Sequence, residues 1–206
     1  ATFAQELPTL VLTSGSANQT VNVNAAISTI KYTASGSAAS IKVDGLPNGV
    51  TASVSGLVAT ISGKPSEVGT FNFSVTATNN ESKTTVLSGK IVVNAVAPVI
   101  TKPASTTISA TQGVAITPIT FTSDVVADFN VTGLPAGLSA NTAADGKSVT
   151  ISGTPTGYGS SNFTVSATAY GKTSSVSGSV TVAQVLPTLV LTSGSANQTV
   201  NVNAAI

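Results

Sequence analysis

Residues 45–79 read GLPNGVTASVSGLVATISGKPSEVGTFNFSVTATN, and residues 133–169 read GLPAGLSANTAADGKSVTISGTPTGYGSSNFTVSATA. Three blocks recur in the same order. Gly45–Gly49 matches Gly133–Gly137, Ile61–Pro65 matches Ile151–Pro155, and Asn72–Thr78 matches Asn162–Thr168. Ser88-Gly89 and Ser177-Gly178 continue the match at the same offset of about 90 residues. Repetition at a fixed period is the first thing to establish, because it sets the unit that folds.

Within each unit the apolar residues alternate with polar ones. Val21 and Val23 alternate, as do Ile30 and Tyr32. Phe71, Phe73, Val75 and Ala77 alternate with Asn72, Ser74 and Thr76, and Phe163, Val165 and Ala167 do the same in the second unit. A period of two marks strands with one buried and one wet face. Turn signals interrupt the chain at Ser14-Gly15, Ser35-Gly36, Pro47-Asn48-Gly49, Gly63-Lys64-Pro65, Gly69 and Ser88-Gly89. No stretch shows a capped apolar helical period. This spacing predicts an all-β protein: tandem immunoglobulin-like β-sandwiches of about seven strands each. Pro47 is expected to hold φ near −65° and Gly49 to supply a positive φ. Phe71, Phe73 and Phe163 are expected as core anchors, each worth on the order of 2–3 kcal/mol when buried.

A longer period encloses the shorter one. Residues 7–27 and 186–206 are the same 21-residue string, LPTLVLTSGSANQTVNVNAAI, and Ala1–Glu6 loosely matches Val180–Val185. The organisation expected is therefore residues 1–6 as the tail of a preceding repeat, 7–96 as a first domain and 97–185 as a second. Residues 186–206 are read as the first strands of the next repeat. The start ATFAQ also has the look of a signal-peptide tail, but its likeness to VTVAQV favours the repeat.

The two GLPxG…ISGxP…FxVxAT segments resemble the immunoglobulin-like (cadherin-like) tandem repeats of bacterial surface adhesins and secreted proteins. The core of the resemblance covers about 35 residues in each unit. It implies the sandwich fold and an extracellular or cell-surface location. It implies work as a module of an adhesin or fibre, or as a spacer in a secreted polysaccharide-degrading enzyme. The cysteine pair and core tryptophan of antibody domains are missing.

Composition narrows the chemistry. The 206 residues carry eight Lys, no Arg, seven acids and a formal net charge of +1, with no His, Cys, Met or Trp. Phosphate-neutralising clusters are absent, which argues against nucleic acid as a partner. No apolar run approaches the ~20 residues a membrane helix needs. Without His or Cys, most general bases, nucleophiles and soft metal ligands are missing. No catalytic, cofactor-binding or metal-binding residue is assigned, no cofactor is expected, and the segment is read as no enzyme. The acids are Glu6, Asp44, Glu67, Glu81, Asp124, Asp128 and Asp145. Calcium sites at joints need several oxygens, yet the joints hold only Glu6; Asp124 and Asp128 sharing a strand face would supply two carboxylates. Lys31, Asn94 and Asp44 are conceivable partners in a Lys–Asn isopeptide bond, but Thr120, Ala183 and Thr132 replace them in the second unit. Sequons at Asn18, Asn72, Asn80, Asn130, Asn162 and Asn197 read as ordinary polar strand faces, with Asn72 and Asn162 outward. The many outward Thr and Ser offer a flat face for carbohydrate or ice, or simply a neutral surface.

Three functions follow from this reading. The favoured one is a structural stalk of a repetitive extracellular surface protein, projecting a distal domain. The alternatives are a spacer in a secreted polysaccharide-degrading enzyme and a strand-exchanging subunit of an extracellular filament. The partners expected are neighbouring repeats of the same chain or filament, with any cell-surface or carbohydrate ligand reached through other domains. The joints Val93–Val99 and Val182–Thr188 contain neither Gly nor a polar run, unlike a flexible linker. A semi-stiff rod is expected, each domain adding roughly 30–45 Å at ~3.3 Å per strand residue. Small-angle scattering from a multi-repeat chain should show the maximum dimension growing linearly with repeat number; a compact globular profile would refute the rod.

Overall fold

The computed structural model describes residues 6–194. The reading of residues 1–5 as a preceding tail, and of 195–206 as strands of a further repeat, falls outside them. The described residues contain strands and no helix. The chain divides into two compact units, the main division falling between Val99 and Ile100, with residues 167–174 at the tip of the last hairpin grouped with the first.

The first unit holds β1 (Thr9–Ser14), β2 (Asn18–Asn22), β3 (Ile30–Ser35), β4 (Ala38–Asp44), β5 (Val50–Ser55), β6 (Val58–Gly63), β7 (Gly69–Asn79) and β8 (Thr84–Asn94). They form two four-stranded sheets, ordered β1-β3-β6-β5 and β2-β8-β7-β4. The second unit repeats this with β9 (Ile100–Thr101), β10 (Thr107–Thr111), β11 (Ile119–Ser123), β12 (Asp128–Thr132), β13 (Leu138–Thr142), β14 (Ser148–Gly153), β15 (Gly159–Ala169) and β16 (Lys172–Ala183). Its sheets are ordered β9-β11-β14-β13 and β10-β16-β15-β12.

Each unit thus has eight strands where about seven were expected. The extra strand arises because the opening segment breaks in two and serves both sheets. Gly15 makes the break: its φ is +81°, and a Cβ there would lie 2.4 Å from the Thr29 carbonyl oxygen. β1 then pairs antiparallel with β3, while β2 pairs parallel with β8, from Asn18↔Lys90 to Asn22↔Asn94. β10 and β16 repeat the parallel pairing, from Thr107↔Ser179 to Thr111↔Ala183.

The alternation seen in the sequence becomes the core. Ile30, Tyr32, Ile61, Phe73, Val75, Ala77, Ile91 and Val93 are buried in the first unit, and Phe121, Val149, Ile151, Phe163, Val165, Val180 and Val182 in the second. Phe71, expected as an anchor, is only partly buried, because its ring lies at the start of β7 over Gly69. At each centre two rings from opposite sheets meet edge to face. Tyr32 and Phe73 have centroids 6.5 Å apart at 79°, and Phe121 and Phe163 6.2 Å apart at 80°. Such pairs add ~0.5–1.5 kcal/mol beyond burial. The Phe73 ring fills the space that a Cβ on Gly89 would need, 2.2 Å from Cζ, and Phe163 does the same to Gly178 at 2.3 Å. The repeated Ser-Gly is therefore a packing requirement of the ring opposite it.

The GLPxG and ISGxP blocks prove to be one object. The Val50 N–H donates to the Pro47 carbonyl at 3.1 Å and Gly49 has φ +83°, a type II turn with glycine where the turn demands it. That turn docks on the second block: Lys64 N–H donates to Gly49 O at 2.9 Å and Ser66 N–H to Asn48 O at 2.9 Å. The β2–β3 connection closes on the same place, with Asn24 N–H donating to Pro65 O at 2.8 Å and Ile27 N–H to Gly63 O at 3.0 Å. The second unit reproduces each bond through Leu138, Thr154, Thr156, Gly113 and Ile116. A Cβ on Gly49 would fall 2.1 Å from Lys64 O.

Residues 186–194 carry no strand and are exposed throughout, whereas the identical residues 7–15 contain β1. Local sequence is the same in both places. What differs is a partner: β1 has β3 beside it.

Two substitutions test the packing. Gly49→Ala should destabilise the first unit by about 2–4 kcal/mol, combining a positive φ with overlap on a carbonyl; urea denaturation measures it. Tyr32 Oη is buried without a hydrogen-bond partner, and burial pushes its pKa up. The second unit has Phe121 at this place, so Tyr32→Phe should leave stability unchanged or raise it by up to ~1 kcal/mol. The pH dependence has a definite sign. Above about pH 10 the unfolded phenol ionises while the folded one stays neutral, so the wild type should lose up to ~1.4 kcal/mol per pH unit that Tyr32→Phe retains.

Candidate functional site

A groove of about 570 Å³ lies on the outer side of the β2-β8-β7-β4 sheet. It runs over Gly89, between the outward side chains of β8, β7 and their neighbours. Asn18, Asp44, Asn72, Ser88 and Lys90 rim it. The second unit has the same groove, about 380 Å³, over Gly178, rimmed by Thr107, Asn162, Thr164, Ser177 and Ser179. Backbone shape is retained between the two, but chemistry is not. Lys90 becomes Ser179 and Asp44 becomes Thr132, so the ionisable rim of the first groove vanishes in the second.

The carboxylates are dispersed. Asp44 pairs with Lys42 on the same strand, Oδ1 to Nζ 2.8 Å, both side chains exposed. Exposed pairs of this kind contribute ~0–1 kcal/mol. Glu67 Oε1 accepts from the Asn48 N–H at 2.9 Å and Asp145 Oδ1 from the Lys147 N–H at 2.9 Å, so both serve turns. Asp124 sits in the bend after β11 and Asp128 begins β12, so the two do not share a strand. Among the described residues no group of three His, Cys, Asp or Glu is arranged to hold a metal.

The residues considered for an isopeptide bond are kept apart. Lys31 lies exposed in β3 between the buried Ile30 and Tyr32, and thus points outward from one sheet. Asn94 ends β8 beside the buried Val93 and points outward from the other sheet. The core separates them. Asn72 and Asn162 are exposed, as the alternation required, and Asn197 lies outside the described residues.

Sequence reasoning passed over Asn79, a polar side chain buried at the β7–β8 hairpin. Its Oδ1 accepts from Glu81 N–H at 3.0 Å and Lys83 N–H at 2.9 Å, while Nδ2 donates to Glu6 O at 3.2 Å. The second unit solves the same hairpin with Tyr170 and Gly171, both at positive φ, the signature of a two-residue type I′ turn. Asn79 is thus a structural clip. The outer faces carry hydroxyl pairs across strands: Thr13–Thr33, Thr120–Thr150, Ser160–Thr181, Ser166–Ser175 and Thr168–Thr173, at 2.8–3.2 Å. These hydroxyls pair with one another across the strands.

Intact mass should equal the sequence mass with no loss of ammonia, and millimolar calcium or a chelator should leave the melting temperature unmoved.

None of the curated proteins compared matches the chain. The family model described as "Putative Ig domain" matches residues 8–94. Among solved structures the chain is similar to titin domains Z1Z2 in complex with telethonin, at 13% identity and TM-score 0.46, covering 86% of this chain and 98% of that one. It is also similar to an endo-fucoidan hydrolase of glycoside hydrolase family 107, at 16% identity and TM-score 0.45, covering 90% of this chain but 30% of the hydrolase. A titin I-band fragment, I67–I69, scores 0.42 at 14% identity, covering 88% and 67%. At such scores the likeness carries nothing about partners or activity. No helix of the described residues is long and apolar enough to cross a membrane. Residues 8–94 thus match an immunoglobulin-like family model, and the chain carries two immunoglobulin-like β-sandwiches in tandem.

Proposed function

We propose that this segment is a non-catalytic structural spacer, a stalk of a repetitive extracellular surface protein that holds a distal domain away from its anchor and transmits tension. The observation that carries this reading is the parallel pairing of β2 with β8 and of β10 with β16. β2 lies near the start of its unit and β8 at its end. Parallel neighbours at opposite chain ends are pulled past one another when the unit is stretched. All the ladder bonds are then loaded together in shear rather than opened one at a time. The ladder is extended at both ends, by Lys90 N–H to Ala17 O at 2.9 Å and Val23 N–H to Asn94 O at 3.0 Å. Ser179 N–H to Thr106 O and Gln112 N–H to Ala183 O extend the second in the same way. The grooves support the same reading, since they keep their backbone form while their charged rim changes. The exact 21-residue repetition supports it too, because a spacer needs length rather than distinct sites.

Stretching the tandem chain end to end in a force spectrometer should give one cooperative rupture per unit. Each rupture should release roughly 280 Å, since about 90 residues reach up to ~3.6 Å apiece, less the folded length. The Val21 N–H faces β8, being two residues before Val23. Val21→Pro should therefore lower the rupture force of the first unit by on the order of a third. Gradual opening at low force, unchanged by Val21→Pro, would reject the tension-bearing role.

A further inference from the structure

Asn48-Gly49 is the one Asn-Gly pair in the sequence, and it forms the apex of the GLPxG turn in the first unit. Ala136-Gly137 holds the same place in the second. An asparagine followed by glycine is open to reaction with its own backbone, because glycine sets no side chain beside the attacking nitrogen. Gly49 N adds to Asn48 Cγ, the side-chain nitrogen leaves as ammonia, and a five-membered succinimide closes. Water then opens the ring at either carbonyl. The chain is left with aspartate or, more often, with isoaspartate, whose backbone runs through Cβ.

The folded turn forbids the first step. Ring closure needs Gly49 N on the same side of the Asn48 Cα–C bond as Cβ. Asn48 occupies the first central position of a type II turn, where ψ is ~+120°, and this holds Gly49 N roughly a third of a turn away from Cβ. The peptide that would have to rotate is also clamped. Ser66 donates to Asn48 O twice, from its N–H at 2.9 Å and from Oγ at 3.4 Å. Lys64 N–H donates to Gly49 O at 2.9 Å, and Asn48 N–H donates to Glu67 Oε1 at 2.9 Å. Turning the peptide to the reactive side takes Asn48 O away from Ser66 and breaks the Val50 N–H bond to Pro47 O. Asn48 is exposed, so water already reaches it. Geometry is what holds the reaction back.

We infer that Asn48 is a modification site that the fold keeps closed and that unfolding of the first unit opens, with water as the co-reactant. The change runs one way. Isoaspartate adds a backbone atom to a turn that has no slack, since a Cβ on Gly49 would fall 2.1 Å from Lys64 O. The turn then no longer fits the bend at Gly63–Pro65. Aspartate keeps the backbone but sets a new carboxylate beside Glu67. A first unit held open long enough therefore fails to close fully. The second unit has Ala136 there, with no amide to lose, and reforms. One unit of the tandem thus records time spent unfolded, and the other does not.

Asp44-Gly45 and Asp145-Gly146 can close the same ring, but more slowly and without releasing ammonia, so the site must be read by peptide. The whole chain is held in mildly alkaline buffer, folded in one sample and in guanidinium chloride in another. The peptide carrying residue 48 is followed by mass spectrometry. Isoaspartate at this position should accumulate on the order of tenfold or more faster in the denaturant, because a folded chain reacts only through its open population. After dilution, aged chains should regain hydrogen-exchange protection in β15 but not fully in β7. Asn48→Ala, aged and diluted in the same way, should regain both. Asn48→Gln, whose longer amide closes a six-membered ring far more slowly, supplies a second comparison should the alanine variant fold poorly. Equal rates in folded and denatured chains would overturn the inference. So would full recovery of β7 by chains carrying isoaspartate at 48, or the same loss in both variants.

Discussion

Two pieces of backbone, at Gly49 and at Gly63, approach too closely for any side chain to stand between them. A Cβ on Gly49 would sit 2.1 Å from Lys64 O, and one on Gly63 would sit 2.3 Å from Gly49 O. Because nothing projects there, the GLPxG turn and the ISGxP bend bond directly to each other. The bend then has carbonyls left over at Gly63 and Pro65, which hold the β2–β3 connection. This is what places β2 beside β8 and β3 across the core from β7. The aromatic pair, the glycine beneath each ring and the parallel terminal ladder all follow from that placement. The second unit meets the same constraint at Gly137 and Gly153, at 2.0 and 2.2 Å.

The alternation of Phe73, Val75 and Ala77, and of Phe163, Val165 and Ala167, was readable directly, because a buried strand face leaves a period of two in the residues themselves. The turn at Pro47–Gly49 was readable for a similar reason, since proline and glycine restrict φ locally. What joined the motifs was not. The bonds between Gly49 and Lys64 run backbone to backbone, and backbone bonds carry no residue signature. The parallel β2–β8 pairing unites residues over seventy positions apart with no local trace. The splitting of the opening segment was signalled by Ser14-Gly15, but a turn signal does not say that the chain changes sheets. Phe71 lies less deep than expected because alternation gives a face and not a depth; near the start of β7 it packs against the core while staying partly exposed. The candidate site offered less still. The absence of His and Cys was plain, but the groove over Gly89 is assembled from four segments far apart in the chain, which leaves no local pattern.

Comparing the units separates what the scaffold needs from what it tolerates. The glycines at the bend, the ring pair and the hydroxyl-lined outer strands persist. Tyr32 gives way to Phe121, Asn79 to Ala169 and Lys90 to Ser179 without changing the strand order. Charge varies while backbone geometry holds. The two environments of LPTLVLTSG make the same point from the other side. The segment is a strand where β3 stands next to it and has no strand at 186–194, so its fold comes from its partner rather than from its own propensity.

The proposed stalk role depends most heavily on the terminal ladder meeting force in shear. The direct test is to pull one unit in two directions, once from its chain ends and once from attachment points at Lys90 and Asn18, which open the same ladder from one side. End-to-end rupture should need several times the force of side-on opening. Equal forces in the two directions would contradict the account.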